Sequence, residues 1–226
     1  MSISDNISRV QERIRAACER SGREPAEVTL VAVSKTFPAE SIRAAYEAGL
    51  RDFGENRVQE AEEKAPALAD LDITWRLIGR LQSNKVRRAA ELFQWVDSVD
   101  SEPLATKLDR ALAGRGVRLR VMLEVNLGGE ETKGGFREDS LPGAAETIGK
   151  LPWLDVQGLM VIPPWKENPA DARPYFRRLR ELSERVKRKA GLEMRHLSMG
   201  MSHDFEVAIE EGATMIRLGT AIFGER

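Results

Sequence analysis

Val28-Thr29-Leu30-Val31-Ala32-Val33, followed at once by Ser34-Lys35-Thr36-Phe37-Pro38, is the stretch that decides the fold. The first six residues form a short β-branched run without polar alternation, the mark of a strand covered on both faces inside a parallel sheet. Thr36 and Pro38 then open a helical pattern that closes at Gly49. The same unit of apolar run, turn residues and capped helix returns along the whole chain. Strands are predicted over 28–33, 51–53, 74–79, 94–99, 117–126, 154–162, 193–198 and 213–218. Helices are predicted over 38–48, 55–64, 84–92, 102–113, 138–150, 170–189 and 203–211. Eight alternating units in a chain of 226 residues point to a single (β/α)8 barrel domain over 1–226, with a doubly wound open sheet as the alternative.

Outside the repeating units, Ile3, Ile7, Val10, Ile14 and Cys18 recur every three or four residues, which predicts an amphipathic helix ended near Gly22. Only eight residues follow the eighth strand, too few for another full helix, so this extra N-terminal helix is expected to cover the gap. No Ser, Gly or Pro tract divides the chain into domains. Two loops stand out: 127–137, which holds four glycines, and 163–169.

Composition narrows the function classes. Thirty-five Lys and Arg against 36 Asp and Glu leave a net charge of -1, so no global field favours nucleic acid or an anionic membrane. One cysteine and two histidines supply neither a disulfide pair nor a metal-ligand cluster. Nothing approaches the ~18 apolar residues of a membrane span, and a charged N-terminus lacks a signal-peptide core. The expectation is a metal-free cytoplasmic protein. Lys85, Arg87 and Arg88, with Arg80 nearby, lack interleaved aromatics and read as a solvated helix face. Trp75, Trp95 and Trp153 read as packing residues.

In a barrel of this kind the C-terminal ends of the strands face the active site. That rule selects Lys35 after the first strand, Gly54-Glu55-Asn56 after the second, Gly79 after the third and Asn126 at the end of the fifth. Ser198 to Ser202 follow the seventh strand, and Arg217-Leu218-Gly219-Thr220 the eighth. Lys35 is an amine able to form an imine with an aldehyde, although taken alone a Lys after a strand is ordinarily a solvated side chain. The Ser198 to Ser202 turn offers hydroxyls and amides where a helix begins, which suits an anion, although a helix cap without ligand accounts for it equally.

Taken together, Val33-Ser34-Lys35-Thr36, Phe53-Gly54-Glu55-Asn56 with Val58-Gln59-Glu60, Ile78-Gly79 before Leu81-Gln82-Ser83-Asn84-Lys85, and Gly158-Leu159-Met160 resemble the pyridoxal phosphate homeostasis proteins. So do Ser198-Met199-Gly200-Met201-Ser202 with Asp204, and Arg217 through Gly224. The resemblance spans nearly the whole chain. It implies a barrel of the alanine racemase N-terminal type that carries pyridoxal 5'-phosphate as a Schiff base on Lys35. It further implies Asn56 beside the cofactor, Ser198, Gly219 and Thr220 at the phosphate, Met201 and Ser202 in the same turn, and Arg217 facing the pyridine nitrogen. A guanidinium keeps its proton, so the ring would be a weak electron sink.

Arg57, Arg76, Arg80 and His203 depart from the residues usual in that family. The three arginines are expected to bear on the surface or rim rather than on the cofactor, and His203 to sit at a solvated helix start although Ser202-His203-Asp204 superficially suggests a hydrolase triad. Lys133 is expected to be a surface lysine, with a second amine over the barrel mouth as the alternative. The expected activity is that of a non-catalytic, monomeric carrier that buffers the cofactor and delivers it to apo-enzymes. The alternatives are a racemase-like enzyme, which needs an acid/base on each face of its substrate, and a cofactor-free aldolase using Lys35. The only tyrosines, Tyr46 and Tyr175, fall in predicted outer helices.

Overall fold

The computed structural model of the chain describes residues 2–130 and 134–225. Eight parallel strands, β1 (Thr29–Val33), β2 (Asp52–Glu55), β3 (Thr74–Leu77), β4 (Trp95–Val99), β5 (Leu119–Val125), β6 (Leu154–Val161), β7 (His196–Ser198) and β8 (Met215–Leu218), pair in sequence order. β1 pairs with β2 on one side and with β8 on the other, Thr29 opposite Met215 and Ala32 opposite Leu218. This closes the barrel and excludes the open doubly wound sheet. The helices that follow the strands are α2 (Ala39–Glu47), α3 (Val58–Lys64), α4 (Val86–Leu92), α5 (Glu102–Leu112), α6 (Leu141–Gly149), α7 (Arg173–Ala190) and α8 (Phe205–Glu210).

The N-terminal helix α1 (Ile3–Ser21) forms because Ser2 and Asp5 make a reciprocal capping box at its start and Gly22, at φ +65°, ends it in the left-handed region. Its buried stripe of Ile7, Val10, Ile14, Ala17 and Cys18 packs on α8 and on a four-residue final helix, α9 (Thr220–Phe223). Asn6 Nδ2 donates to the Ile222 carbonyl at 2.8 Å. α1 thus packs beside α8 and α9 where the barrel closes. Among the described residues no helix is long and apolar enough to cross a membrane.

Several boundaries differ from those predicted, and those around β2 and β7 have a plain physical reason. β2 extends to Glu55 because Gly54 and Glu55 still pair with Arg76 and Leu77, which delays α3 to Val58. β7 begins only at His196, after Met194 adopts φ +46° and interrupts the extended chain.

Apolar side chains lie in two shells. The larger fills the space between strands and helices and includes Phe53, Trp75, Leu77 and Phe176, with Trp153 packed at its edge. The smaller lies inside the barrel: Trp95, Met122, Met160 and Met215. Arg76 belongs to this inner shell, which corrects its expected place at the surface or rim. Only 1% of Arg76 is exposed. Its Nε and Nη2 donate to the two oxygens of buried Asp97 at 3.1 and 3.0 Å, its Nη1 to Asp52 at 3.2 Å, and its guanidinium lies 3.9 Å over the Trp95 ring. Trp75 and Leu77 on either side point outward, so strand alternation sends Arg76 into the barrel.

Candidate functional site

Above the inner shell, at the C-terminal ends of the strands, is a cavity of ≈ 600 Å³. Lys35, Asn56, Met201, Ser202, Arg217, Gly219 and Thr220 all line it. They come from four strand ends and the turns after them, those of β1, β2, β7 and β8, so barrel closure assembles them.

Lys35 sits in a tight turn closed by the Phe37 amide donating to the Ser34 carbonyl at 3.0 Å. The next residue, Thr36, has φ +67°, a left-handed conformation that is costly for a β-branched residue. Neighbouring side chains hold the turn there. Glu60 Oε2 accepts from the Thr36 amide at 2.8 Å, and Lys64 Nζ donates to the Ser34 carbonyl at 3.0 Å and to Glu55 Oε1 at 2.8 Å. Ser34 Oγ also donates to Glu55 Oε1, at 2.7 Å. Burial raises the Glu55 carboxyl, opposed by Lys64 and Ser34, and its Oε2 is buried without a hydrogen-bond partner. Burial also pushes Glu60 up, but the Thr36 amide and Lys64 outweigh it and hold it below the usual carboxylate range. The backbone on both sides of Lys35 is therefore tied to α3.

Asn56 owes its position to a close approach. A Cβ on Gly79 would lie 2.3 Å from the Asn56 carbonyl oxygen, so only glycine lets the turns after β2 and β3 pass. On the adjoining wall the turn after β7 is shaped by Asp204, whose Oδ1 accepts from the Met201 amide at 2.7 Å. Ser202 Oγ accepts from the Ala221 amide at 3.3 Å, and the Arg217 amide donates to the Gly200 carbonyl at 3.0 Å. These bonds lock the Met201-Ser202 turn to Gly219-Thr220. All four of these residues line the cavity.

Arg217 is 4% exposed, with Nη1 donating to Ser198 Oγ at 2.7 Å and Nη2 to the Val161 carbonyl at 2.9 Å. Burial lowers its affinity for the proton, while the negative charges of Asp97, Glu124 and Asp204 favour the cation. Of the eight residues that the family resemblance assigns to the cofactor, Ser198 alone is not brought to the cavity wall: it is fully buried and its hydroxyl is taken up by Arg217. No triad forms after β7 either. Asp204 bonds the Met201 amide, and His203 Nε2 faces the Lys166 and Glu167 carbonyls at 3.1 and 3.0 Å. Lys133 lies outside the described residues.

Sequence reasoning passed over four contributors. Glu60 and Lys64 were legible only as an i, i+4 pair. Phe37, which lines the cavity, stacks on Phe223 at 4.9 Å. Trp165, 73% exposed at the mouth, stacks on His203 at 6.0 Å.

The family described as alanine racemase, N-terminal domain, matches residues 6–226. The pyridoxal phosphate homeostasis protein of Aquifex aeolicus is 50% identical over 226 residues, covering 100% of this chain and 99% of that protein. The solved structure of PipY from Synechococcus elongatus, with PLP bound, is 41% identical with a TM-score of 0.88, covering 99% of this chain and 100% of that one. Alanine racemase of Clostridium difficile shares the fold at a TM-score of 0.73 and 14% identity; this chain covers 57% of it.

Proposed function

Because this chain belongs to the pyridoxal phosphate homeostasis family, built on the alanine racemase N-terminal barrel, we propose that it binds pyridoxal 5'-phosphate and acts as its carrier in vitamin B6 homeostasis. The observation that carries the reading is the arrangement of one cavity: an amine, Lys35, a buried guanidinium, Arg217, and the hydroxyl and amide cluster of Ser202, Gly219 and Thr220 on the adjoining wall. Those groups match an aldehyde, a ring nitrogen and a phosphate. When bound, the cofactor supplies an electrophilic carbonyl on an electron-withdrawing ring.

Lys35 holds the aldehyde, and the tethered turn around it keeps its backbone from drifting. Thr220 and Ser202 donate hydroxyl hydrogen bonds to the phosphate, with Gly219 and Met201 shaping the same cradle. Asn56 packs beside the ring. Arg217 donates to the ring nitrogen and keeps its own proton, which weakens the ring as an electron sink. Ser198 is reassigned: it orients Arg217 and does not touch the phosphate.

A racemase would need a second acid/base on the opposite face. Tyr46 lies in α2 with its hydroxyl accepting from the Asp72 amide at 3.3 Å, and Tyr175 lies in α7 against the outer core. Among the described residues no tyrosine lines the cavity. The carrier reading extends to a monomer that works in the cytoplasm and hands the cofactor to apo-enzymes. It is tested by the absorbance spectrum of protein loaded with pyridoxal 5'-phosphate, before and after borohydride, followed by peptide mapping. The expected result is a yellow protein whose reduced adduct maps to Lys35. A colourless protein, or an adduct confined to another lysine, overturns the reading.

A further inference from the structure

The closed barrel places β7, β8, β1 and β2, which carry the groups assigned above, opposite β3, β4 and β5. On that far side a second cavity of ≈ 610 Å³ adjoins the first, and Arg80 stands in the wall of both. Asp100, Ser101 and Lys107 complete the polar part of the second cavity, with exposed Gln82, Ser83 and Asn84 at its edge.

Arg80 and Asp100 face each other as a stretched pair, Nε to Oδ2 at 3.5 Å, far from the two-pronged geometry of a strong guanidinium–carboxylate contact. The carboxylate is the fixed member. Its side chain is 12% exposed, Oδ1 accepts from Ser101 Oγ at 3.0 Å, and Gly134 approaches so closely that a Cβ there would lie 2.8 Å from Oδ2. The guanidinium is the exposed member, at 71%. The wall thus carries two cations, Arg80 and Lys107, and one anion. A plain carboxylate entering here meets Asp100, and a plain amine meets Arg80 and Lys107. A ligand that carries both charges replaces one stretched pair with two close ones.

We propose that Arg80 and Asp100 form a second binding site that takes a free α-amino acid, its carboxylate on Arg80 and its ammonium on Asp100. Ile162 and Trp165, in the cavity shared through Arg80, offer apolar surface to its side chain. The site lies beside the cavity that holds Lys35, with Arg80 in the wall of both, and it does not depend on the carrier reading, because it is complete without cofactor.

Equilibrium dialysis of radiolabelled L-leucine against the ligand-free protein tests this. Retention is expected, with a loss of roughly tenfold or more in affinity on Arg80→Ala and on Asp100→Asn, and partial recovery with Arg80→Lys. At concentrations that let unlabelled leucine displace the label, neither 4-methylpentanoate nor 3-methylbutylamine should do so. Absence of retention overturns the proposal, as does binding indifferent to Arg80→Ala, or displacement by 4-methylpentanoate as effective as by leucine, which would mark a simple anion site. Arg80 is exposed, so its variants remain informative if Asp100→Asn fails to fold. Pyridoxal 5'-phosphate binding, followed separately by absorbance on the same preparation, can fail or succeed without altering the dialysis result.

Discussion

Ser198 and Ser202 stand four positions apart, yet the structure gives them different work. Ser202 opens on the cavity, whereas Ser198 is spent on Arg217. Their variants should therefore differ in kind. Ser202→Ala with Thr220→Val should weaken pyridoxal 5'-phosphate far more than unphosphorylated pyridoxal, since each hydrogen bond lost to a charged group costs about 1.5 to 3 kcal/mol. Ser198→Ala should weaken both ligands alike, because it loosens a guanidinium that touches the ring. Parallel titrations of the two ligands check this; a phosphate-selective loss in Ser198→Ala would return that serine to the phosphate site. Lys35→Ala should abolish the yellow colour and leave the melting temperature within a degree or so of the parent, because the residue lies past the strand and fills no core.

At the scale of elements, the turn that carries Lys35 depends on α3. Glu60→Gln removes the charge from the bond to the Thr36 amide and from Lys64, and should slow capture of the aldehyde, read by stopped-flow absorbance, while Lys35 itself is intact. Capture at the parental rate would show that the turn holds its strained shape unaided. A second tether joins α7 to α8: Glu211, 4% exposed, receives Arg173 at 3.0 Å, Arg177 at 3.0 Å and Arg180 at 3.5 Å. Burial pushes its carboxyl up, but the arginines outweigh burial and hold it below the usual range. A depressed folded value means that the stabilisation is complete above the unfolded value, near pH ~4.3, and fades as pH falls through the folded one. Urea melts should accordingly show Glu211→Gln destabilised by about 1 to 3 kcal/mol at neutral pH, with the difference shrinking on acidification below that value.

For the whole molecule, the barrel interior is a charged core rather than a purely apolar one. Arg76→Met leaves Asp97 buried without its bidentate partner and should cost about 3 to 5 kcal/mol in urea unfolding. Arg76→Met combined with Asp97→Leu removes both charges and should recover part of that loss. The recovery stays partial because Asp97 also supports the cation at Arg217. A double variant no more stable than Arg76→Met would mean that the pair contributes packing alone.

The eight units, the N-terminal cover and about half of the cavity lining were legible in the amino-acid order. Apolar runs, caps and turns are local properties, and in a parallel barrel every strand end is delivered to the same face. Lys35, Asn56, Ser202 and Thr220 could thus be placed on one side from strand order alone. What only the tertiary structure decided was which neighbour each polar group meets. Arg76 is inward because closure and register put it against Asp97 and Trp95, residues 19 and more positions away whose side of the sheet no local pattern states. Ser198 turns to Arg217 because β7 and β8 lie side by side, Ser198 opposite Met215. The Thr36 turn is held by Glu60, which reaches it only once α3 has packed. Alternation along a strand fixes that successive side chains take opposite faces. Whether a given face looks into the barrel or out of it, and what charge waits there, is settled only when the ring closes.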